Sequence, residues 1–286
     1  LNGIDVGGDT SVNVTATGEM EGFGRHAALT IDSVSISAGR DFSVDSVIRA
    51  NLDTAQIAYG VFVSGWSSSG NMPLLAVDLD GTIIGDSDCY GVFIEDDIPE
   101  CGTVEIYFGD TTRLQGGHVR GFQYLGGHLD CENIIVLMEG VLASALTRSV
   151  YGVHLDSFFT TNTTRLVVKS FLDYGSAKSH AIKIEDTSTP AITDAFGDLI
   201  LSYIGTADGS GSFVGIEADG GLGRLEGTLN LVKITSISSS MTRSTGDGVM
   251  AINLINFLRG ITTATPVNVR VSGEYESASN NGATGV

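Results

Sequence analysis

The stretch YGVFIEDD at residues 90–97 has two near copies in the same chain, YGVFVSGW at 59–66 and YGVHLDSF at 151–158. The copies begin 31 residues (90 − 59) and 61 residues (151 − 90) apart. A fixed period of this kind is typical of proteins that stack one supersecondary unit on the next. The repeat therefore indicates the fold class before any single residue is considered.

The period extends over most of the chain when the Gly of YGV is taken as position zero. The residues at position zero are then Ala28, Gly60, Gly91, Gly121, Gly152, Ala181, Phe213 and Val249. Positions one and three after them are apolar in every copy, whereas position two is mixed, from Phe62 and Phe93 to Lys183. Alternation with a period of two predicts a β-strand with one buried face and one outward face.

A second short strand is predicted after each first strand. It begins near residues 75, 104, 134, 166, 199, 229 and 267, with outlying copies at 12 and 48. The segments between strands vary in length and are rich in Gly, Ser, Thr and Asp, as surface loops are. No helix pattern interrupts them.

Units of two or three short strands bury their apolar face only by stacking on their neighbours. We therefore predict an all-β fold, a parallel β-helix (β-solenoid) of about eight coils of roughly 30 residues, right-handed as parallel crossovers generally are. A β-propeller is the main rival, but its blades need about 40 residues. The predicted divisions are an N-terminal capping segment at 1–25, the β-helix at 26–272 and a polar C-terminal tail at 273–286.

The composition excludes several function classes. Among 286 residues, 15 Lys and Arg stand against 34 Asp and Glu, which gives a formal charge of −19. Such a surface repels nucleic acid and anionic membrane. The longest apolar stretch, at 133–146, is too short to span a bilayer and contains Glu139. We expect a soluble protein with no nucleic-acid partner and no membrane insertion.

A family resemblance follows from the repeated strands YGVFIED, YGVHLDS and HAIKIED and the variable loops between them. Over about residues 12–272 they resemble the pectate-lyase-like β-helices, among them the tailspike and tail-fibre proteins of bacteriophages. The resemblance implies a homotrimer at a virion surface or outside the cell, with cell-surface glycan and other fibre subunits as partners. In some members, Asp and Glu on the outer face cleave the glycan.

Position four of the first strand is acidic in most coils. Its residues are Asp32, Ser64, Glu95, Leu125, Asp156, Glu185, Glu217 and Asn253. Neighbouring coils of a solenoid lie about 4.8 Å apart, so Asp156, Glu185 and Glu217 are predicted to form a carboxylate ladder. Solvated strand ends are the plainest interpretation. The ladder also suits a Ca²⁺ site, the one cofactor considered, or a pair of glycosidase carboxylates.

Other candidate residues carry less specific patterns. His118, His128, Asp130 and Cys131 lie close in sequence, but their spacing matches no established zinc motif. Trp66 is a candidate for stacking on a sugar ring. Cys101 and Cys131 each lie ten residues after a position-zero Gly, so they are predicted to be neighbours on adjacent coils.

The leading functional hypothesis is a noncatalytic, adhesive module of a fibre or spike that displays loops to a glycan. The alternative is a polysaccharide lyase or glycoside hydrolase that uses the outer carboxylates. A lyase needs cations beside its acids, and Lys183 and Arg120 are the nearest ones. Phe62 and Phe93, at position two of consecutive coils, predict an exposed aromatic patch that a homotrimer would cover.

Overall fold

The structure is a computed structural model. It describes residues 5–6, 10–19, 24–32, 35–36, 42–52, 57–64, 67–68, 72–95, 98–125, 129–144, 148–156, 158–185, 198–219, 235–244, 248–255, 267–273 and 283–284.

The described residues form β-strands joined by short turns. In chain order the strands are β1 (Asp5–Val6), β2 (Thr10–Glu19), β3 (Arg25–Asp32), β4 (Ser35–Ile36), β5 (Phe42–Leu52), β6 (Ile57–Ser64), β7 (Ser67–Ser68), β8 (Met72–Gly85), β9 (Asp88–Ile94), β10 (Ile98–Phe108), β11 (Arg113–Gly116), β12 (His118–Tyr124), β13 (Leu129–Ser144), β14 (Val150–Asp156), β15 (Phe158–Tyr174), β16 (Ser179–Glu185), β17 (Asp198–Gly209), β18 (Ser212–Asp219), β19 (Thr235–Ser244), β20 (Gly248–Ile255), β21 (Val267–Gly273) and β22 (Ala283–Thr284). Within these ranges, no helix is long and apolar enough to cross a membrane.

The strands form three parallel sheets that run along the molecule. The first sheet has the order β3-β6-β9-β12-β14-β16-β18-β20-β22. The second has the order β2-β5-β8-β10-β13-β15-β17-β19-β21, with β11 between β8 and β13, and β1, β4 and β7 form the third. Four successive turns lie between residues 72 and 185. Each has one first-sheet strand and one second-sheet strand, except that the second turn has two second-sheet strands, β10 and β11. The predicted all-β parallel β-solenoid is confirmed.

One continuous core runs through the stacked turns. Positions one and three of the first strands face it, and nearly all of these side chains are fully buried: Val61, Val63, Val92, Ile94, Phe122, Tyr124, Val153, Leu155, Ile182 and Ile184. The second sheet contributes Leu75, Val104, Ile134 and their alternate neighbours. The long strands β8 and β13 bend at Gly81 (φ 109°) and Gly140 (φ 101°), where the left-handed backbone favours glycine. Beyond each bend alternate side chains, such as Ile83 and Leu142, again face the core.

The register differs from the predicted one after the sixth coil. Ile182 pairs with Ile216, so Gly215 and Ala251 occupy position zero, and the assignments of Phe213 and Val249 are wrong by two residues. A shift of two leaves Ile216 and Ile252 facing the core, because the side-chain period of a strand is also two. It moves Val214 and Met250, both apolar, from position one to just before position zero, where Val214 pairs with His180. Apolar alternation therefore cannot detect the shift, and the small residue at position zero is what fixes the register.

The second strands show the same ambiguity. Val104 pairs with Leu75 and with Ile134 as predicted, but Ile134 pairs with Thr164, which moves the predicted start at 166 by two residues. Val12 pairs with Val44, so the outlying copy predicted at 48 is out of register. In the coil predicted to begin its second strand at 229, the described strand begins at Thr235, and 229–234 lie outside the described residues.

The two ends of the chain also add strands to these sheets. β2, within the segment predicted to cap the solenoid, is the end strand of the second sheet and pairs with β5 over its whole length. β22, from the predicted polar tail, pairs with β20 through Ala283 and Thr284.

Cys101 and Cys131 pair in register on β10 and β13, which confirms that they are neighbours on adjacent coils. Paired residues of parallel strands lie about 4.8 Å apart, within the range that a disulfide spans. Cys89 and Cys131 are both buried, but Cys89 lies on β9 of the first sheet and not beside this pair. Burial raises the pKa of the Cys89 thiol to about 12.

We expect mild oxidation of the folded protein to link Cys101 to Cys131 and to leave Cys89 as a thiol. Peptide mapping without reduction measures the linkage. A crosslink through Cys89, or separate alkylation of Cys101 and Cys131 after oxidation, would contradict the register of these two coils.

Candidate functional site

Each strand of the first sheet bends at position zero, where its backbone pairing is interrupted. Backbone pairing runs from Tyr59–Tyr90 directly to Val61–Val92, so the residue between them is left out of the ladder. A Cβ on Gly91 would lie 2.7 Å from the carbonyl oxygen of Gly121, which explains the small residue there. Because of this bend, the outward residue just before position zero contacts the outward residue at position two. The ring centroids of Tyr90 and Phe93, for example, are 4.9 Å apart.

The residues just before position zero form a continuous stack along five coils, which we call the outer ladder: Tyr59, Tyr90, Arg120, Tyr151 and His180. The Tyr59 and Tyr90 rings are 5.0 Å apart, and those of Tyr151 and His180 are 5.2 Å apart. The Arg120 guanidinium lies between the two halves, 5.1 Å from the Tyr90 ring and 5.6 Å from the Tyr151 ring. The ring faces inside the ladder are therefore occupied by neighbouring side chains.

Phe62 and Phe93 stack at 5.8 Å, as their position in consecutive coils predicted. The expectation that they are an exposed patch is wrong for Phe93, which is only 5% exposed. The rings of Tyr59 and Tyr90 lie against it, at 5.4 Å and 4.9 Å. The stacked rings therefore give no support to a covering subunit, and the homotrimer stays a prediction.

Glu217 is the centre of a buried ionic cluster. Its Oε2 accepts hydrogen bonds from Lys178 Nζ (2.6 Å) and Asn253 Nδ2 (2.9 Å), and its Oε1 lies 3.2 Å from His180 Nε2. Burial raises the pKa of this carboxyl, but the bonds from His180, Lys178 and Asn253 outweigh burial and hold the pKa well below its usual range. Glu217 is thus a carboxylate that ties three coils together.

Burial keeps His154 and His180 neutral at neutral pH. Burial, followed by the nearby charges of Lys183 and Arg120, lowers the pKa of His154 to about 3. Burial also lowers the pKa of His180, despite its bond to Glu217. The Nδ1 atoms of both rings are buried without a hydrogen-bond partner, so a proton on either Nδ1 would have no acceptor.

The carboxylate ladder is only partly as predicted. Asp156 and Glu185 are paired on adjacent coils, but Glu217 pairs with Lys183 at position two, and Asp219 takes its predicted place beside Glu185. The three-membered ladder of Asp156, Glu185 and Glu217 is wrong because of the two-residue register shift. Glu185 itself lies 3.4 Å from His154 Nε2 and forms an ion pair with Lys183.

Arg120, a cation expected beside the acids, already has hydrogen-bond partners on the outer face. Its Nη1 donates to Asp88 Oδ1 (3.2 Å) and to the Tyr90 hydroxyl (3.0 Å). Its place in the outer ladder makes it part of the stack as well as of an ion pair.

The proposed metal residues are only partly described. His118 Nδ1 is 2.9 Å from the Ser149 hydroxyl, and no group of three or more His, Cys, Asp or Glu side chains able to hold a metal ion occurs in the described part of the chain. His128 and Trp66 lie outside the described residues. Asp130 is described as part of β13, next to Cys131.

Sequence reasoning missed the outer ladder, although its signal is present. Tyr59, Tyr90 and Tyr151 are the Tyr of the repeated YG, and Arg120 and His180 precede the equivalent small residues. Tracing that column as well as the apolar ones would have predicted stacked planar side chains one coil apart. His180 and Glu217 could not be paired in this way, because their contact depends on the shifted register.

No family model, no curated protein and no solved structure matches this chain.

Proposed function

We propose that this chain is a structural and adhesive module of an extracellular or virion fibre, a stiff β-helix that displays loops for the binding of cell-surface glycan. The observation that carries the proposal is the outer ladder, in which the outward side chains contact one another. A surface arranged in this way stiffens a scaffold.

The outer ladder and the core both join each coil to the next along the axis of the solenoid. Each stacked ring pair contributes about 0.5–1.5 kcal/mol beyond the burial of its area. The contacts follow one another from β6 to β16, so they resist bending along the axis. Loops of variable length and sequence, set on such a stack, can change without disturbing the scaffold.

The protonation states on the outer face favour binding over catalysis. A glycosidase needs a carboxylic acid that is protonated at working pH, whereas Glu217 is held ionised by three partners. A base works best with a pKa near the working pH, and that of His154 is about 3. Neither group suits proton transfer near neutral pH.

A glycoside hydrolase is the second candidate, and one observation favours it. Asp156 and Glu185 are in register on adjacent strands. The strand spacing of about 4.8 Å is close to the roughly 5 Å that separates the carboxylates of retaining glycosidases. In that function these two residues would be nucleophile and acid.

We expect the protein to bind at least one cell-surface polysaccharide on a glycan array, and Asp156→Asn and Glu185→Gln to bind it as tightly as the wild type. Both changes keep side-chain size, and thermal melting checks that both variants are folded. A wild type that binds no glycan contradicts the adhesive function. A wild type that shortens the glycan, with the loss of this activity in either variant, favours the hydrolase.

A further inference from the structure

A groove crosses the outer face of the second sheet, where strands of three successive coils lie side by side. Its volume is about 280 Å³, and its outward lining residues come from β8, from β10 with the residue after it, and from β13: Asp78, Asp80, Tyr107, Gly109, Leu137 and Glu139. Binding sites for small molecules begin at about 300 Å³. The groove is therefore large enough for one ring of a ligand.

Tyr107 is the aromatic wall of this groove. It is paired in register with Asp78 on one side and with Leu137 on the other. Tyr107 is partly exposed at the groove, in contrast to the rings of the outer ladder, which are stacked on one another. Burial and the negative charges of Glu105 and Asp78 raise the pKa of Tyr107, so its hydroxyl stays protonated. A neutral aromatic ring beside Leu137 offers a face on which the C–H groups of a sugar can pack.

Gly109 leaves a gap between two acidic residues. The strand β10 pairs with both β8 and β13 up to Phe108, so the next residue, Gly109, lies between Asp80 and Glu139. A Cβ on Gly109 would lie 3.0 Å from Asp80 Oδ1 and 3.5 Å from Asp80 Oδ2. Both oxygens of this carboxylate therefore border the space that the missing side chain leaves.

The carboxylates on the two sides of the gap supply hydrogen-bond acceptors. Asp80 Oδ1 accepts hydrogen bonds from the Gly81 N–H (2.9 Å) and from the Thr111 hydroxyl, which hold this carboxylate in place. Glu139 Oε1 lies 3.5 Å from Lys169 Nζ. Carboxylates accept short, strong hydrogen bonds from hydroxyl groups. The groove thus suits a ligand that is rich in hydroxyl donors.

We propose that this groove binds one ring of an uncharged polysaccharide, which packs on Tyr107 and donates hydrogen bonds from its hydroxyl groups to Asp78, Asp80 and Glu139. An aromatic surface with a few fixed polar groups in a concave site orients a ligand of this kind. Acidic polysaccharides are repelled, because none of the described lining residues is a cation and the chain has a net charge of −19. This site rests on the proposed glycan binding, and it places one contact on a sheet face instead of in a loop.

The test fills the groove and measures binding to neutral polysaccharides (dextran, mannan and galactan) and to acidic polygalacturonate on a glycan array. We expect the wild type to bind at least one of the neutral polysaccharides, and Gly109→Leu to weaken that binding at least about tenfold. The fold tolerates this change, because Gly109 lacks a left-handed backbone and the atoms nearest to its Cβ belong to the flexible side chain of Asp80. Tyr107→Leu, which removes the ring, should weaken binding about fivefold or more. Circular dichroism verifies that each variant is folded.

Gln115→Leu is the matched control, because it adds a Leu at an exposed position of β11 that does not line the groove. It should bind as tightly as the wild type. A wild type that binds a neutral polysaccharide overturns this site alone if either Gly109→Leu or Tyr107→Leu binds it equally well. A preference of the wild type for polygalacturonate also overturns the site alone. A wild type that binds no glycan at all overturns the proposed function together with the site.

Discussion

Replacing Ile184 by Lys is expected to abolish soluble protein. Ile184 is 2% exposed and lies at position three of β16, between Leu155 and Ala218 of the neighbouring coils. A Lys there would place an ammonium group in the apolar core with no acid to pair it, at a cost of more than about 4 kcal/mol. Single domains are stable by only about 5–15 kcal/mol. Soluble yield and circular dichroism measure the outcome.

The neighbouring residue is the control for this substitution. Lys183 points outward, pairs with Glu185, and lies 5.9 Å from the Tyr151 ring. Lys183→Ser removes these partly exposed contacts and should lower the free energy of unfolding by about 1 kcal/mol or less. Equal tolerance of both changes would show that the strand is not oriented as described.

Glu217→Gln is expected to lower the free energy of unfolding by about 2 kcal/mol, because Gln keeps the shape but loses the charge that faces Lys178 and His180. This figure is already reduced for solvent screening, since the Lys178 side chain is 49% exposed. The matched control is Glu139→Gln, whose ion pair with Lys169 is much more exposed. The control should change stability by less than about 0.5 kcal/mol, and equal losses in a urea titration would contradict the buried cluster.

The stabilisation by Glu217 should also depend on pH. The pKa of Glu217 is lower in the folded chain than the usual value of about 4.3 in an unfolded one. Its contribution is therefore complete above about pH 5 and is lost as the pH falls toward the folded pKa. The stability difference between wild type and Glu217→Gln should shrink below about pH 4. A difference that stays constant down to acid pH would mean that the carboxylate is not held by its partners.

The period and the inward positions of the first strand could be predicted from the sequence, because both follow from backbone geometry alone. Apolar residues at positions one and three, such as Val92 and Ile94, must face one side of any strand. The small residue at position zero fixes the register of the first sheet as far as Ala181. In the second sheet, the pairing of Cys101 with Cys131 confirms the predicted register of β10 and β13.

The register of the coils after Ala181 could not be predicted, because apolar alternation fits two registers equally well. Phe213 and Ile216 are both fully buried, so either register of that coil satisfies the core. The structure selects Gly215 for the bend, where a Cβ would lie 2.6 Å from the carbonyl oxygen of Ala251. That selection moves Glu217 out of the acidic column and against His180. The predicted carboxylate ladder and the observed ionic cluster around Glu217 thus belong to two registers that differ by two residues.

The most direct test of the account is the chain length of a bound polysaccharide. The protein would be incubated for a prolonged time with a polysaccharide that it binds, and the product analysed by size-exclusion chromatography and for new reducing or unsaturated ends. We expect the polysaccharide to be retained by the protein and to keep its original length, because Glu185 is already paired with Lys183 and Glu217 with Lys178. Shortened chains, formed by the wild type and not by Asp156→Asn, would contradict it.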